Sequence, residues 1–404
     1  MKIKILLGML FSLAAMTLSG CGGGGGAAPA APTIVSGVAA KGQFVNGTVQ
    51  IFAIDSATGD KEATPRRTVT LDPLAPGVYT ADISPYTGPV LVEVAGTYKD
   101  EATGTEVATT APLRAAIANA SGTVTANVTP LTELAVRNAK KTSGALTAVS
   151  INAANANIAS LFKVGNITTT KPVDAASAAA ATASLVEKEH ALVLATVSQL
   201  VKNSGNSLDK VLTDLTTDIS VSGTTITMAD KSIAIFKVAL FDFMTGANNK
   251  TLITDPNATP VNIGTFKLAH LKIITQGTLP AGAAIGGIDF SFNLPAGVTV
   301  SADATTKLVS PGIVVGSGLA AVTGTTSISL ATLNGSALRV VLANAQGFGV
   351  GEFVNIGCDI PAGTTVPTKA TFDTALSLAT ITVTDLAGAT IPGITVTTST
   401  VDIF

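Results

Sequence analysis

Apolar and polar positions alternate in three successive modes after a short leader. From Ile34 to about Val128 the runs are short, alternate with a period of two and break at turn residues. Val49-Gln50-Ile51-Phe52-Ala53-Ile54 runs into Asp55-Ser56-Ala57-Thr58-Gly59-Asp60, which reads as a hairpin tip. Gly77–Ile83, Pro89–Gly96 and Thr123–Val128 repeat the pattern. A period of two puts successive side chains on opposite faces, so this stretch predicts a β-sandwich over 34–128.

At Thr129 the period changes. Thr129 suits a helix N-cap and Pro130 the first helical position. Apolar residues then recur every three or four positions: Ile158, Leu161 and Phe162; Leu192, Val193, Val197 and Leu200; Val211, Leu212 and Leu215; Ile233, Phe236, Leu240 and Phe243. Such spacing makes one helix face apolar and predicts about five helices over 129–255. A small hairpin is expected around Gly223, over Ile219–Thr227.

Strand periodicity returns over 264–404, most clearly in Thr265–Thr275, Gly287–Leu294, Val298–Ala302, Ser327–Ala331, Ala337–Ala343, Glu352–Ile360, Ser377–Thr384 and Thr395–Ile403. About nine short strands with Gly-, Pro- and Asn-rich turns predict a second sandwich. The expected fold is therefore mainly β with an α-helical middle section, two antiparallel β-sandwiches flanking the helical region.

The first 20 residues carry an address. Lys2 and Lys4 precede an apolar run from Ile5 to Leu18, shorter than the roughly 20 residues that span a bilayer. A cleaved signal peptide over 1–20 is expected. Its end, Leu18-Ser19-Gly20-Cys21, resembles the lipobox of bacterial lipoproteins. The resemblance implies that Cys21 is the lipidated first residue of the mature chain and that membrane attachment is through this lipid. Gly22 is not acidic, which by the same analogy implies the outer membrane, on its periplasmic side or at the cell surface. Gly22–Gly26 and Ala27-Ala28-Pro29-Ala30-Ala31-Pro32 resist regular structure and predict a tether over 21–33.

Composition narrows the partners. Charged residues make up 12% of the chain, against about 25% in typical soluble domains. The formal net charge of −2 supplies no basic field for nucleic acid. Cys21 and Cys358 are the two cysteines. With Cys21 lipidated no internal disulfide forms, and Cys358 is expected to be buried and inert.

Two further resemblances are carried by short motifs. Ser36-Gly37-Val38-Ala39-Ala40-Lys41-Gly42, Gly47-Thr48-Val49-Gln50-Ile51-Phe52 and Gly77-Val78-Tyr79 resemble the carboxypeptidase-regulatory or transthyretin-like module, which implies a small spacer sandwich. Pro73-Leu74-Ala75-Pro76-Gly77 departs from that module's usual turn. Phe290–Val298, Ala337–Ala345 with Gly347 and Gly349, Gly351–Ile356 and Val383–Gly388 resemble a cohesin-like domain, a sandwich shared with carbohydrate-binding modules. That resemblance implies a binding face on one sheet.

Candidate chemistry is sparse. His190 is expected on the polar side of a helix and His270 in a strand, both solvated or capping. They fall in different stretches, whereas a metal site needs three or four convergent ligands, so no metal or cofactor is expected. Asp55 with Asp60, and Asp100 and Glu101 with Glu106, read as solvated turn charges, with loop-bound calcium as the alternative. No Gly-x-Ser-x-Gly elbow supports a serine nucleophile, and Ala345–Gly351 lacks the following helix that a phosphate loop requires. No catalytic residue is assigned. The expectation is a non-enzymatic envelope lipoprotein that binds or scaffolds a protein or glycan partner. The alternatives are a carbohydrate-binding module, which would need an exposed row of aromatics although Trp is absent and Tyr numbers 3, and a carboxylate-dependent hydrolase, which would need two carboxylates converging in a cleft.

Overall fold

A computed structural model describes residues 31–322 and 326–404. The expected signal peptide, Cys21 and the glycines after it lie outside the described residues. Strands come first: β1 (Ile34–Val38), β2 (Gln43–Ala53), β3 (Arg67–Thr70), β4 (Val78–Asp82), β5 (Gly88–Lys99), β6 (Glu106–Ala108), β7 (Leu113–Ala120) and β8 (Thr123–Thr125). They form a three-stranded sheet, β4-β1-β8, and a larger one, β3-β2-β5-β6, to which β7 adds by pairing with β5. All these pairings are antiparallel except β1 with β8.

Strand β5 is buried on both faces, with Val90, Leu91, Val92 and Val94 at 1% exposure or less. The register explains it. Val92 lies beside Ile51 and Ala115, and Val94 beside Val49 and Leu113, on one face. Glu93 lies beside Gln50 and Arg114 on the other. Val49, Ile51, Val92 and Val94 share an apolar cluster with Val35, Tyr79 and Ala81 of the smaller sheet. Arg114 instead reaches a helix.

That helix is α1 (Pro130–Ser143), capped by a reciprocal pair: the Thr129 side chain accepts from Thr132 N–H and the Thr132 hydroxyl from Thr129 N–H. It is followed by α2 (Ala148–Leu161), α3 (Leu185–Ser204), α4 (Leu208–Asp218), the hairpin β9 (Ile219–Ser222) and β10 (Thr225–Met228), and α5 (Asp230–Thr245). The five-helix middle section and its hairpin are thus present. Arg114 donates to Glu133 of α1 at 2.6 and 2.9 Å, and Asn155 of α2 donates to the carbonyl of Ala116. The helices cover the second face of the larger sheet and share its core.

The remaining elements are β11 (Lys267–Gln276), β12 (Ile285–Asn293), β13 (Val314–Gly316), the short α6 (Gly318–Val322), β14 (Thr326–Asn334), β15 (Ala337–Phe348), β16 (Glu352–Ile360), α7 (Lys369–Ser377), β17 (Thr380–Asp385) and β18 (Thr395–Ile403). Two four-stranded antiparallel sheets, β13-β16-β11-β18 and β14-β15-β12-β17, enclose a second apolar cluster. The rings of Phe290 and Phe353 meet edge-on across it, with centroids 5.7 Å apart. Val298–Ala302, expected as a strand, makes only isolated bridges, at Thr299 and Ala302. The start of the expected Ser377–Thr384 strand belongs to the end of α7.

Helix α5 joins the two cores. Phe236, Leu240 and Phe243 enter the first cluster, while Ala234, Val238 and Phe241 enter the second. Its second face lies on the outer side of the β13-β16-β11-β18 sheet. The paired residues there are Leu268 with Asp359, His270 with Gly357, and Lys272 with Asn355. A Cβ on Gly357 would stand 2.2 Å from a methyl of Val238, so the helix reaches the sheet only because this position lacks a side chain.

Candidate functional site

Helix docking explains why neither histidine is where its sequence context places it. His190 is fully buried in α3 with both ring nitrogens unpartnered, and burial pushes its pKa down to about 4. It is a neutral packing residue, not a solvated one. His270 is also fully buried; its Nε2 lies 2.9 Å from Asp242 Oδ1, and its ring lies against Phe241. Both expectations of solvated or capping histidines are corrected, because helix α3 is buried around His190 and α5 covers the strand face that bears His270. Cys358 is buried, and burial raises its thiol pKa above the usual range. Among the described residues no group of three His, Cys, Asp or Glu could hold a metal ion.

The acidic turns divide. Asp55 accepts from the N–H groups of Ala57 and Thr58 at an exposed tip, which holds its carboxyl below its ordinary pKa. Asp60 is exposed. Asp100 and Glu101, expected to be solvated, are instead 4% and 2% exposed. They enclose Lys41, which has no exposed surface; its Nζ lies 2.9 Å from Asp100 Oδ2 and 3.4 Å from Glu101 Oε2. Lys41 also donates to the Ser198 hydroxyl, which donates to Glu101 Oε2. The sequence separation hides this cluster: Lys41 follows β1, the carboxylates follow β5, and Ser198 comes from α3.

A second buried pair lies where α5 meets β16. Asp359 Oδ1 is buried without a hydrogen-bond partner, and desolvation, followed by the charge of Asp230, lifts its pKa to about 7. Lys237, over the rings of Phe266 and Phe404, is brought down to about 8 by burial. A carboxyl whose folded pKa is raised loses stability as pH climbs from its unfolded value toward the folded one. Relative to the native chain, Asp359→Asn is therefore expected to leave urea resistance unchanged below about pH 4 and to raise it progressively up to about pH 7. A pH-independent difference between the two chains in urea titrations would contradict this account.

Two open surfaces remain. One is a cleft of about 870 Å³ between α3, α5 and the outer side of the β13-β16-β11-β18 sheet. Asn203 donates to Asp242 Oδ2 at its edge, and Lys272 and Asn355 line its floor. The other is the outer face of the β14-β15-β12-β17 sheet. The register sets Ser291 beside Arg339 and Thr380, Asp289 beside Val341 and Thr382, and Gly287 beside Ala343 and Thr384. Arg339 pairs with Asp289 at 2.6 and 3.0 Å. A hollow of about 770 Å³ opens at Gly286 and Gly287, where a Cβ on Gly286 would meet the Asp385 carbonyl at 2.7 Å. Phe290 and Phe292 point to the core, at 1% and 3% exposure, so the described residues of this face carry no aromatic row. No protein family, curated protein or solved structure matches this chain.

Proposed function

We propose that this chain is a lipid-anchored envelope protein whose folded part is a non-enzymatic binding or scaffolding module for a protein partner. The observation that carries the reading is the sequence Leu18-Ser19-Gly20-Cys21, placed after a basic and apolar leader and before a glycine tether. The anchor is the diacylglyceryl thioether of Cys21, and the outer membrane is the expected site. The binding face is the outer side of the β14-β15-β12-β17 sheet. Its hydroxyls, backbone edges and Asp289–Arg339 pair suit hydrogen bonding to a polypeptide, whereas a sugar ring calls for flat aromatic surfaces.

The buried acid–base groups fit the same reading. Lys41, Asp100, Glu101, His190 and His270 are enclosed by the fold, and the exposed Asp289 is occupied by Arg339. Cys21→Ala is expected to abolish incorporation of radiolabelled palmitate and to move the protein from the membrane to the soluble envelope fraction. Unchanged labelling would refute the anchor. Affinity purification of the native chain from envelope extracts, beside an Arg339→Glu variant, tests the face. A partner that the native chain retains and the variant loses supports it; equal retention by both refutes it.

A further inference from the structure

The geometry points to an internal amide bond between the Lys41 side chain and the Asp100 side chain, formed by the protein itself with Glu101 as the proton carrier. This inference does not depend on the membrane anchor or on the binding face. It rests on four observations about one buried cluster.

Lys41 Nζ and Asp100 Oδ2 are already in contact at 2.9 Å, in a pocket that leaves Lys41 no exposed surface. Reacting groups held at this separation do not need to find one another, which removes much of the entropic barrier to bond formation. The two carboxyl oxygens of Asp100 have different surroundings. Oδ1 accepts from the N–H groups of Ala102 and Thr103 at 3.0 and 3.1 Å and from the Thr103 hydroxyl at 3.2 Å. Oδ2 faces the amine. Three donors on one oxygen polarise the carbonyl and receive the negative charge that develops there on attack. Finally, Glu101 Oε2 lies 3.4 Å from Lys41 Nζ and accepts from the Ser198 hydroxyl, which in turn accepts from Lys41. A carboxylate so placed can take protons from the amine and return them to the leaving oxygen.

The step balances without an outside reagent. Glu101 passes one proton from the Lys41 ammonium to Oδ2 of Asp100, and the freed lone pair adds to Cγ of the now neutral carboxyl. Negative charge collects on Oδ1. The nitrogen loses a second proton, which Glu101 also passes to Oδ2, the Cγ–Oδ2 bond breaks and one water leaves. The products are a neutral amide and an unchanged Glu101 carboxylate. The amide removes the Lys41 and Asp100 charges, and the remaining Glu101 carboxylate keeps the hydrogen bond from the Ser198 hydroxyl. Tyr98, whose ring centroid lies 5.1 Å from Nζ, closes one side of the site. Ser198 is a positioning residue, since it acts through Glu101 and Lys41.

The test is protease mapping of the denatured, full-length protein extracted in detergent. A branched peptide joining Lys41 to Asp100, lighter than its two arms by one water, is expected from the native chain. Recovery of Lys41 and Asp100 only in separate linear peptides would overturn the proposal, and that outcome is readable without any variant. In Glu101→Gln the branched species is expected to fall at least tenfold while the protein remains folded by circular dichroism. An undiminished yield from that folded variant would overturn the role given to Glu101.

Discussion

Replacing Lys41 with methionine is expected to destabilise the fold by about 3–5 kcal/mol, because it leaves buried carboxylates without their counter-charge. Asp100 and Glu101 are both enclosed, and Lys41 is the only cation that contacts either carboxylate among the described ion pairs. The chain has no tryptophan, so urea unfolding is best followed by far-ultraviolet circular dichroism. The triple variant Lys41→Met, Asp100→Asn, Glu101→Gln is expected to recover part of the loss. It removes charge from both sides of the cluster, and it also cannot form the amide. A single Lys41→Met variant as stable as the native chain would show that the Lys41 charge does not offset the burial of these carboxylates.

The second large effect is expected at Phe241. Its ring stacks on Phe404 at 4.8 Å and lies 4.6 Å from the His270 ring. Phe241→Ala is expected to cost about 3–5 kcal/mol, the range for emptying a buried aromatic site. The form of the transition is as informative as its size. Phe241 is on α5 but packs in the second core, so the loss falls on the junction between the two halves. The native chain is expected to unfold in one step and the variant in two, the sandwich of β11–β18 leaving first. A single transition in the variant, displaced by less than about 1 kcal/mol, would show that Phe241 adds little to the junction.

These two residues show what the sequence could disclose. Helix α5 was readable because Ile233, Phe236, Leu240 and Phe243 keep helical spacing. That it serves two cores was not, because Val238 and Phe241 fill the rest of its circumference and a single-sequence pattern does not say what each face meets. Strand β16 was readable to its last residue, yet Gly357 within it looks like any weakening glycine until Val238 is seen against it. The middle helices and the two flanking groups of sheets follow from periodicity alone. Helix α7 was missed because it buries only Phe372 and Leu376; the reciprocal cap between Thr368 and Thr371 was its one local signal.

The candidate sites were less legible than the fold. The Asp100-Glu101 pair reads as a turn because Gly104 and Thr105 follow, and its partner stands 59 positions earlier. Burial of charge is a three-dimensional property, and nothing near Lys41 signals it. The same holds for His190 and His270, whose polar neighbours Glu189 and Lys267 suggested solvent. The outer sheet face was easier: inward Phe290 and Phe292 alternate with Asp289 and Ser291, and that alternation fixes which side each residue faces.

Strand β1 has a mechanical consequence. It lies in the middle of its sheet, bonded to β4 on one side and β8 on the other. A pull applied along the chain from its N-terminal side loads both ladders in shear, so their bonds must yield together and not one after another. Lys41 comes three residues after β1 ends, beside the end of β5. Were the strand to slip, tension would pass at that point to the ties between Lys41, Asp100 and Ser198. A covalent tie there would pass the load from Lys41 straight to Asp100 and leave the strands between them, β2 to β5, outside the line of force.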